Sequence, residues 1–172
     1  MFEQQHIALF TATILEWKHL LKPDKYKDII LSSLRFLAED KRVKVYGFVI
    51  MPNHLHLLWK MEEPHKRENV QRDFLKYTAQ QIKFDLMKYH SAVLEKFRVG
   101  AKDRQYQLWE RNPLSVYCYS NAVTEQKLNY IHNNPIQEKW RLAVLPEAYL
   151  YSFARFYFDN KDDFGFLTHY MD

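Results

Sequence analysis

Two neighbouring apolar segments in the middle of the chain constrain its fold most strongly. Residues 43–51 (VKVYGFVIM) are rich in β-branched and aromatic residues, and residues 54–61 (HLHLLWKM) follow after only Pro52-Asn53. Apolar runs of this length and composition, bounded by turn residues, predict β-strands. Because so little chain separates them, we expect the two strands to form an antiparallel hairpin.

Helical and extended segments alternate on both sides of this hairpin. The predicted elements are, in chain order, a strand at 6–16, a helix from Pro23-Asp24 to about Glu39, the two hairpin strands, a helix at 70–90, a strand at 106–119 interrupted by Asn112-Pro113, and a helix that begins at Ser120 or Asn121 and ends near Pro135. A β-α-β-β-α-β order predicts an α+β fold of the ferredoxin-like type. We therefore expect an antiparallel sheet with helices on one face, plus an extra C-terminal helix and tail.

The length of 172 residues is that of one domain, so we treat residues 1–172 as a single unit with a core at about 5–145 and an aromatic-rich extension at about 146–172. No stretch approaches 18 consecutive apolar residues, and the N-terminus lacks the pattern of a secretory signal. The single cysteine, Cys118, fits a reducing compartment and is expected to be buried. These features predict a cytoplasmic protein with no membrane partner.

The positive charge of the chain is concentrated in one segment. Residues 66–111 contain 11 Lys or Arg and 6 Asp or Glu, whereas the rest of the chain is close to neutral. Such a concentration of charge is typical of nucleic-acid-binding surfaces, although an ordinary solvated helix face gives the same pattern.

Two histidines, His54 and His56, stand one residue apart on the second hairpin strand. Alternate side chains of a strand share a face, so both imidazoles are expected to point the same way. They are either half of a divalent-metal site or polar histidines on the open face of a sheet. A metal site needs a further ligand, and an oxygen donor with open coordination positions would suit Mg²⁺ or Mn²⁺.

The last predicted helix offers both a ligand and a nucleophile. Tyr130 and Asn134 are four residues apart, so they are neighbours on one helix face. Asn134 can offer an amide oxygen to a metal while Tyr130 presents a hydroxyl beside it. Tyr117 and Tyr119 on the predicted fourth strand are alternative nucleophiles. His132 lies two residues from Tyr130, off that helix face, and receives no role.

The two motifs together, PNHLHLLW at 52–59 and NYIHNNP at 129–135, resemble those of the single-tyrosine transposases of the HUH superfamily. The resemblance is closest to the REP-associated tyrosine transposases and extends over roughly residues 5–145. Many insertion-sequence relatives have Gln where this chain has Asn134, and the Asn-Pro ending favours the REP-associated group.

The resemblance implies a protein with a ferredoxin-like fold that is usually dimeric. It also implies that the protein cuts and rejoins single-stranded DNA at hairpin-containing sequences. It implies that His54, His56 and Asn134 hold a divalent metal, Mg²⁺ or Mn²⁺. It also implies that Tyr130 is the nucleophile, which forms a 5′-phosphotyrosine bond and frees a 3′-hydroxyl.

Within this hypothesis the basic segment would contact DNA phosphates, and exposed aromatics such as Tyr106 or Trp109 would stack on unpaired bases. The candidate DNA-binding residues are Lys76, Lys83 and Lys88 on the second helix, or Lys96, Arg98, Lys102 and Arg104 after it. Two other functions stay open: an inactive or domesticated binder of structured single-stranded nucleic acid, and a metal-dependent hydrolase of a small substrate. The hydrolase lacks a further carboxylate or histidine at a recognisable spacing.

Overall fold

The computed structural model describes residues 6–172 and contains one four-stranded antiparallel sheet. The strands are β1 (Ile7–Thr13), β2 (Val43–Ile50), β3 (His54–Met61) and β4 (Leu114–Cys118). The helices are α1 (Asp24–Glu39), α2 (Arg67–Tyr89), α3 (Ser91–Glu95), α4 (Asn121–His132) and α5 (Ala154–Asp159). Residues 1–5, where the expected core begins, lie outside the described part.

The spatial order of the strands is β2-β3-β1-β4, with every neighbouring pair antiparallel. This order and the β-α-β-β-α-β sequence of elements confirm the predicted ferredoxin-like α+β fold. The hairpin strand β3 is central, between β2 and β1. In its pairing with β1, His54 lies opposite Thr13 and His56 lies opposite Thr11.

The two faces of the sheet are covered by different helices. On one face Trp59 of β3 packs against Phe10 of β1 and Phe74 of α2, with ring centroids 5.2 and 5.7 Å away, and α1 packs beside α2. His56 points to the opposite face, as alternation along a strand requires, and there its ring is 5.5 Å from that of Tyr130 on α4. The prediction of helices on one face thus holds for α1 and α2, and the extra helix covers the other face.

Two predicted strands are longer than the observed ones. The first ends at Thr13, because Leu15–Trp17 form a 3-10 turn with left-handed backbone at Glu16 and Trp17. The fourth includes only residues 114–118 of the expected 106–119, because Asn112 is also left-handed and precedes a proline. Trp109 keeps only an isolated bridge to Ile14.

The buried face of α2 includes one polar residue and excludes two tyrosines. Tyr77 and Tyr89 are exposed, whereas Thr78 is fully buried. The buried face runs through Phe74, Thr78 and Ile82 at strict four-residue spacing. Thr78 fits there because its hydroxyl donates to the Phe74 carbonyl at 2.9 Å and accepts from the Trp109 indole at 3.2 Å. The connection after α2 contains the short helix α3.

The C-terminal extension lies along the outer edge of β2. The amide of Ile50 donates to the carbonyl of Tyr151, and the amide of Phe153 donates to the carbonyl of Phe48. Farther along, the amide of Thr168 donates to Val45. The extension therefore satisfies hydrogen-bonding groups that an exposed edge strand would leave open, and β4 forms the other edge of the sheet.

Cys118 is buried, as its sequence context predicts. Between residues 6 and 172, no helix combines the length and the apolar character needed to cross a lipid bilayer.

Candidate catalytic site

The two histidines of β3 lie side by side on the α4 face of the sheet. Their ring centroids are 4.9 Å apart, and each residue is less than a tenth exposed. The turn before them is fixed from outside the hairpin, because the carbonyls of Pro52 and Asn53 accept from the amides of Leu21 and Ile14 at 2.9 Å. The hairpin thus presents both imidazoles from a rigid element.

Each imidazole is anchored through its Nδ1 atom. His54 Nδ1 donates to the Asn53 side-chain oxygen at 2.7 Å, since that oxygen only accepts. A 2.8 Å hydrogen bond joins His56 Nδ1 to the Thr11 hydroxyl. These anchors hold Nδ1 of each ring and leave Nε2 as the nitrogen that would bind a metal, which is the arrangement found for metal-binding histidines, and the Asn134 side chain hydrogen-bonds to His54.

Burial keeps both histidines neutral. Burial is the main reason why the pKa of His54 is lowered to about 4. The hydrogen bond with Asn134 has a smaller, opposing effect, and the charge of nearby Lys139 lowers the pKa further. Burial and the proximity of His54 lower the pKa of His56 to about 3. Near pH 7 both imidazoles are neutral, the form that binds a metal.

Helix α4 brings Tyr130 and Asn134 to the histidines. The helix begins at Ser120, whose hydroxyl accepts from the Val123 amide at 3.2 Å, and it is followed by a 3-10 turn that contains Asn134. Tyr130 lies over His56 and is half exposed, whereas Asn134 is 3% exposed. The nucleophile candidate is thus accessible, and the ligand candidate is enclosed.

These side chains line one open pocket of about 400 Å³. Its lining includes the four predicted site residues His54, His56, Tyr130 and Asn134, the strand residues Leu9, Thr11, Thr13, Leu114 and Val116, and also Trp17, Lys127, Gln137 and Lys139. The sequence did not predict four of these residues, namely Trp17, Lys127, Gln137 and Lys139. Lys127 lies three residues before Tyr130, so helical spacing could have found it. Trp17, Gln137 and Lys139 lie outside the helices and strands, where no spacing rule applies.

The donor set fits a divalent metal with mixed ligands. Among residues 6–172, no group of three or more His, Cys, Asp or Glu side chains could hold a metal ion. A metal in this pocket would therefore take two imidazole nitrogens and an amide oxygen from Asn134, with its remaining positions open. Such a set, with an oxygen donor and open positions for phosphate oxygens, suits Mn²⁺ or Mg²⁺.

The predicted basic DNA-binding residues lie elsewhere, and none of them lines this pocket. Lys76, Lys83 and Arg104 line a second cavity of about 580 Å³ between α2 and the 103–109 loop. Arg98 is engaged by Glu95 through two 2.8 Å hydrogen bonds. Lys88 lies over the ring of the neighbouring Tyr89, and Lys96 and Lys102 are exposed in the connection after α2.

Trp109 is buried, with its indole bonded to Thr78, so the expectation that it stacks on a base is wrong. Tyr106 is partly buried and its hydroxyl bonds to Glu95.

The alternative nucleophiles are both outside the pocket. The Tyr117 hydroxyl accepts from Arg67 at 3.0 Å, on the α2 face of the sheet, and Tyr119 packs against His6. His132 is buried and stacks on Phe153 at 4.2 Å, so it joins α4 to the C-terminal extension.

No protein-family model and no curated protein sequence matches this chain. Among solved structures, a REP-associated tyrosine transposase bound to a REP hairpin superposes with a TM-score of 0.64 at 15% identity, over 98% of this chain and 88% of that one. A protein of Deinococcus radiodurans R1 described as a transposase matches 74% of this chain and 88% of its own, at 19% identity and a TM-score of 0.47. The first likeness shows that this chain has the fold of a REP-associated tyrosine transposase.

Proposed function

We propose that the chain is a metal-dependent single-strand DNA endonuclease and strand transferase that acts on hairpin-containing DNA through a 5′-phosphotyrosine intermediate. One observation carries this proposal: a half-exposed tyrosine and three buried metal-ligand candidates, His54, His56 and Asn134, converge in one pocket. Neither a pure binding protein nor a hydrolase requires that tyrosine. The hairpin in the structure with the same fold supports the proposed class of DNA.

In this mechanism the Tyr130 oxygen attacks the scissile phosphorus, and the bond from phosphorus to the 3′-oxygen breaks. The tyrosine loses its proton, and the departing 3′-oxygen gains one to become a hydroxyl. A bound Mg²⁺ or Mn²⁺ would polarise a phosphoryl oxygen and orient the phosphate for in-line attack. Lys127 and Lys139, in the same pocket, would neutralise the phosphates on either side. Rejoining is the reverse reaction with a new 3′-hydroxyl.

The nucleophile is tested by Tyr130→Phe with Tyr117→Phe as the matched control. A 5′-phosphotyrosine retains the fragment on the 3′ side of the cut, so only a 3′-labelled hairpin oligonucleotide should give a labelled protein band on a denaturing gel. We expect Tyr130→Phe to abolish this band while DNA binding persists, and Tyr117→Phe to retain it. An adduct formed by the Tyr130→Phe protein contradicts the assignment.

The metal ligands are tested by His54→Ala and His56→Ala, with His90→Ala, exposed after α2, as control. The two site variants should lose Mn²⁺-dependent cleavage and the calorimetric signal of Mn²⁺ binding. The control should keep both. Cleavage that proceeds equally fast in EDTA contradicts the role of the metal.

The cavity with Lys76, Lys83 and Arg104 is proposed to contact backbone phosphates of the same DNA. Each phosphate contact removed should reduce the slope of log affinity against log salt by about 1, without changing sequence preference.

The resemblance also leads us to propose a homodimer. Sedimentation velocity that shows a monomer with and without the hairpin would contradict the dimer.

The competing function is a binder of structured single-stranded nucleic acid that has lost its chemistry. It is favoured only if salt-sensitive hairpin binding occurs and no adduct forms with any divalent metal.

A further inference from the structure

Trp17 is a large aromatic residue exposed at the candidate catalytic site. It is 63% exposed and lines the pocket, with its ring centroid 6.5 Å from that of His54. Trp59 and Trp109 are buried in the core, and Trp140 approaches His54 at 5.9 Å. At 63% exposure the Trp17 side chain contributes little to the core.

The backbone that carries Trp17 is strained and firmly held. Glu16 and Trp17 have φ values of 54° and 57°, a left-handed conformation that residues other than glycine adopt at an energetic cost. The Glu16 amide donates to the Glu110 carboxylate at 2.7 Å, and the Leu15 amide donates to the Leu108 carbonyl at 2.8 Å. The Trp17 carbonyl accepts from the Asn53 side chain at 3.4 Å. The residue that anchors His54 therefore also holds the turn that presents the indole.

The surroundings of Trp17 form a groove with the character of a nucleic-acid strand site. Its floor follows β1 from Thr13, opposite His54, to Leu9, a distance of about 13 Å. Trp17 lies at the His54 end, and Lys127, one turn before Tyr130, lies toward Cys118 and the β4 edge. The groove thus offers an aromatic surface, a central reactive group and cations for phosphates, the combination that binds single strands.

We propose that Trp17 stacks on an unpaired nucleobase of the DNA strand in the groove, next to the scissile phosphate. This inference rests on the proposed function. Stacking at the His54 end would hold the adjoining phosphate over the histidines and within reach of Tyr130. Because a paired base in a duplex has both faces covered by its neighbours, this contact would also select unpaired DNA. Trp17 is then a positioning residue, since it touches the strand and not the reacting atoms.

The test measures binding in the chain of residues 1–172 that also carries Tyr130→Phe, so that no covalent adduct interferes. Two variants separate the ring from the backbone: Trp17→Asn keeps a residue that tolerates left-handed backbone and removes the ring, whereas Trp17→Phe keeps a ring. Phe36→Asn, at an exposed aromatic on α1, is the matched control. The probes are a fluorescein-labelled oligothymidylate and the same oligomer without bases, read by fluorescence anisotropy.

Loss of one stacked base is expected to weaken oligothymidylate binding by roughly five- to 150-fold in Trp17→Asn, with little change in Trp17→Phe or Phe36→Asn. The abasic oligomer should bind the unchanged protein and Trp17→Asn equally, because the interaction energy requires both partners. The stacking role is overturned if Trp17→Asn weakens the binding of both probes equally, or of neither. In that case the adduct assay still supports the proposed function. Failure to bind either probe contradicts both.

Discussion

Gly47→Ala tests how tightly α4 and the C-terminal extension are pressed onto the sheet. Gly47 lies in β2 next to an irregularity in its pairing with β3. A Cβ atom added there would be 3.0 Å from Leu128 on α4 and 3.0 Å from two ring atoms of Phe153 in the extension. Carbon atoms are most favourably 3.5–4.0 Å apart, so three contacts would be about 0.5 Å too short.

The expected result is a loss of about 1–3 kcal/mol in the free energy of unfolding, the usual cost of overpacking a core. It outweighs the gain of about 0.4–1 kcal/mol that replacing glycine gives by restricting the unfolded chain. Relief of the short contact with Leu128 would shift α4, which carries Tyr130 over His56. Such a shift should lower the yield of the phosphotyrosine adduct.

Urea denaturation of Gly47→Ala measures the effect, with Gly100→Ala as control. Gly100 has no atom within 4 Å of a built Cβ, so its replacement should leave stability unchanged or slightly higher. In a Phe153→Leu background two of the three short contacts are absent, so Gly47→Ala should cost less stability there than in the unchanged chain. A Gly47→Ala protein as stable as the unchanged chain would refute the packing of α4 and the extension on β2.

Two further changes test the support of the site and the response to acid. Thr11→Val removes the hydrogen bond to His56 Nδ1 and should weaken Mn²⁺ binding, measured by calorimetry, about 10- to 100-fold with little change in fold. Unchanged affinity would show that this anchor is dispensable. Hydrogen bonds from Lys25 and Tyr26 hold the pKa of Asp85 below its usual range, so the unfolded chain binds more protons than the native one in acid. The stabilisation is present above about pH 4 and is lost as the pH falls, and Asp85→Asn should flatten the acid limb of a plot of unfolding free energy against pH.

The parts of the fold and site that follow a local period were predictable from the sequence. Alternation along β3 placed His54 and His56 on one face, and four-residue spacing placed Asn134 near Tyr130. All four residues line one pocket, although Asn134 is not on the same helix as Tyr130, because α4 ends at His132 and Asn134 lies in the 3-10 turn that follows.

The rest depends on tertiary position. The charge excess of residues 66–111 is counted along the sequence and carries no information on three-dimensional position. It therefore did not reveal that the basic residues face away from the histidines. Trp17 and Lys139 reach the pocket from irregular segments, whose paths are set by long-range hydrogen bonds such as that between Glu16 and Glu110. The break at Asn112-Pro113 was predicted, but the sequence did not reveal that only residues 114–118, after the break, would form β4.

The C-terminal extension has a consequence for how such a chain can vary. The candidate reactive residues all precede residue 140, yet α4 rests partly on Phe153, which stacks on His132 two residues beyond Tyr130. Substitutions in the last thirty residues can therefore alter the placement of Tyr130 without changing any residue that lines the pocket. Selection can thus adjust the position of Tyr130 through the extension while the lining of the pocket stays the same.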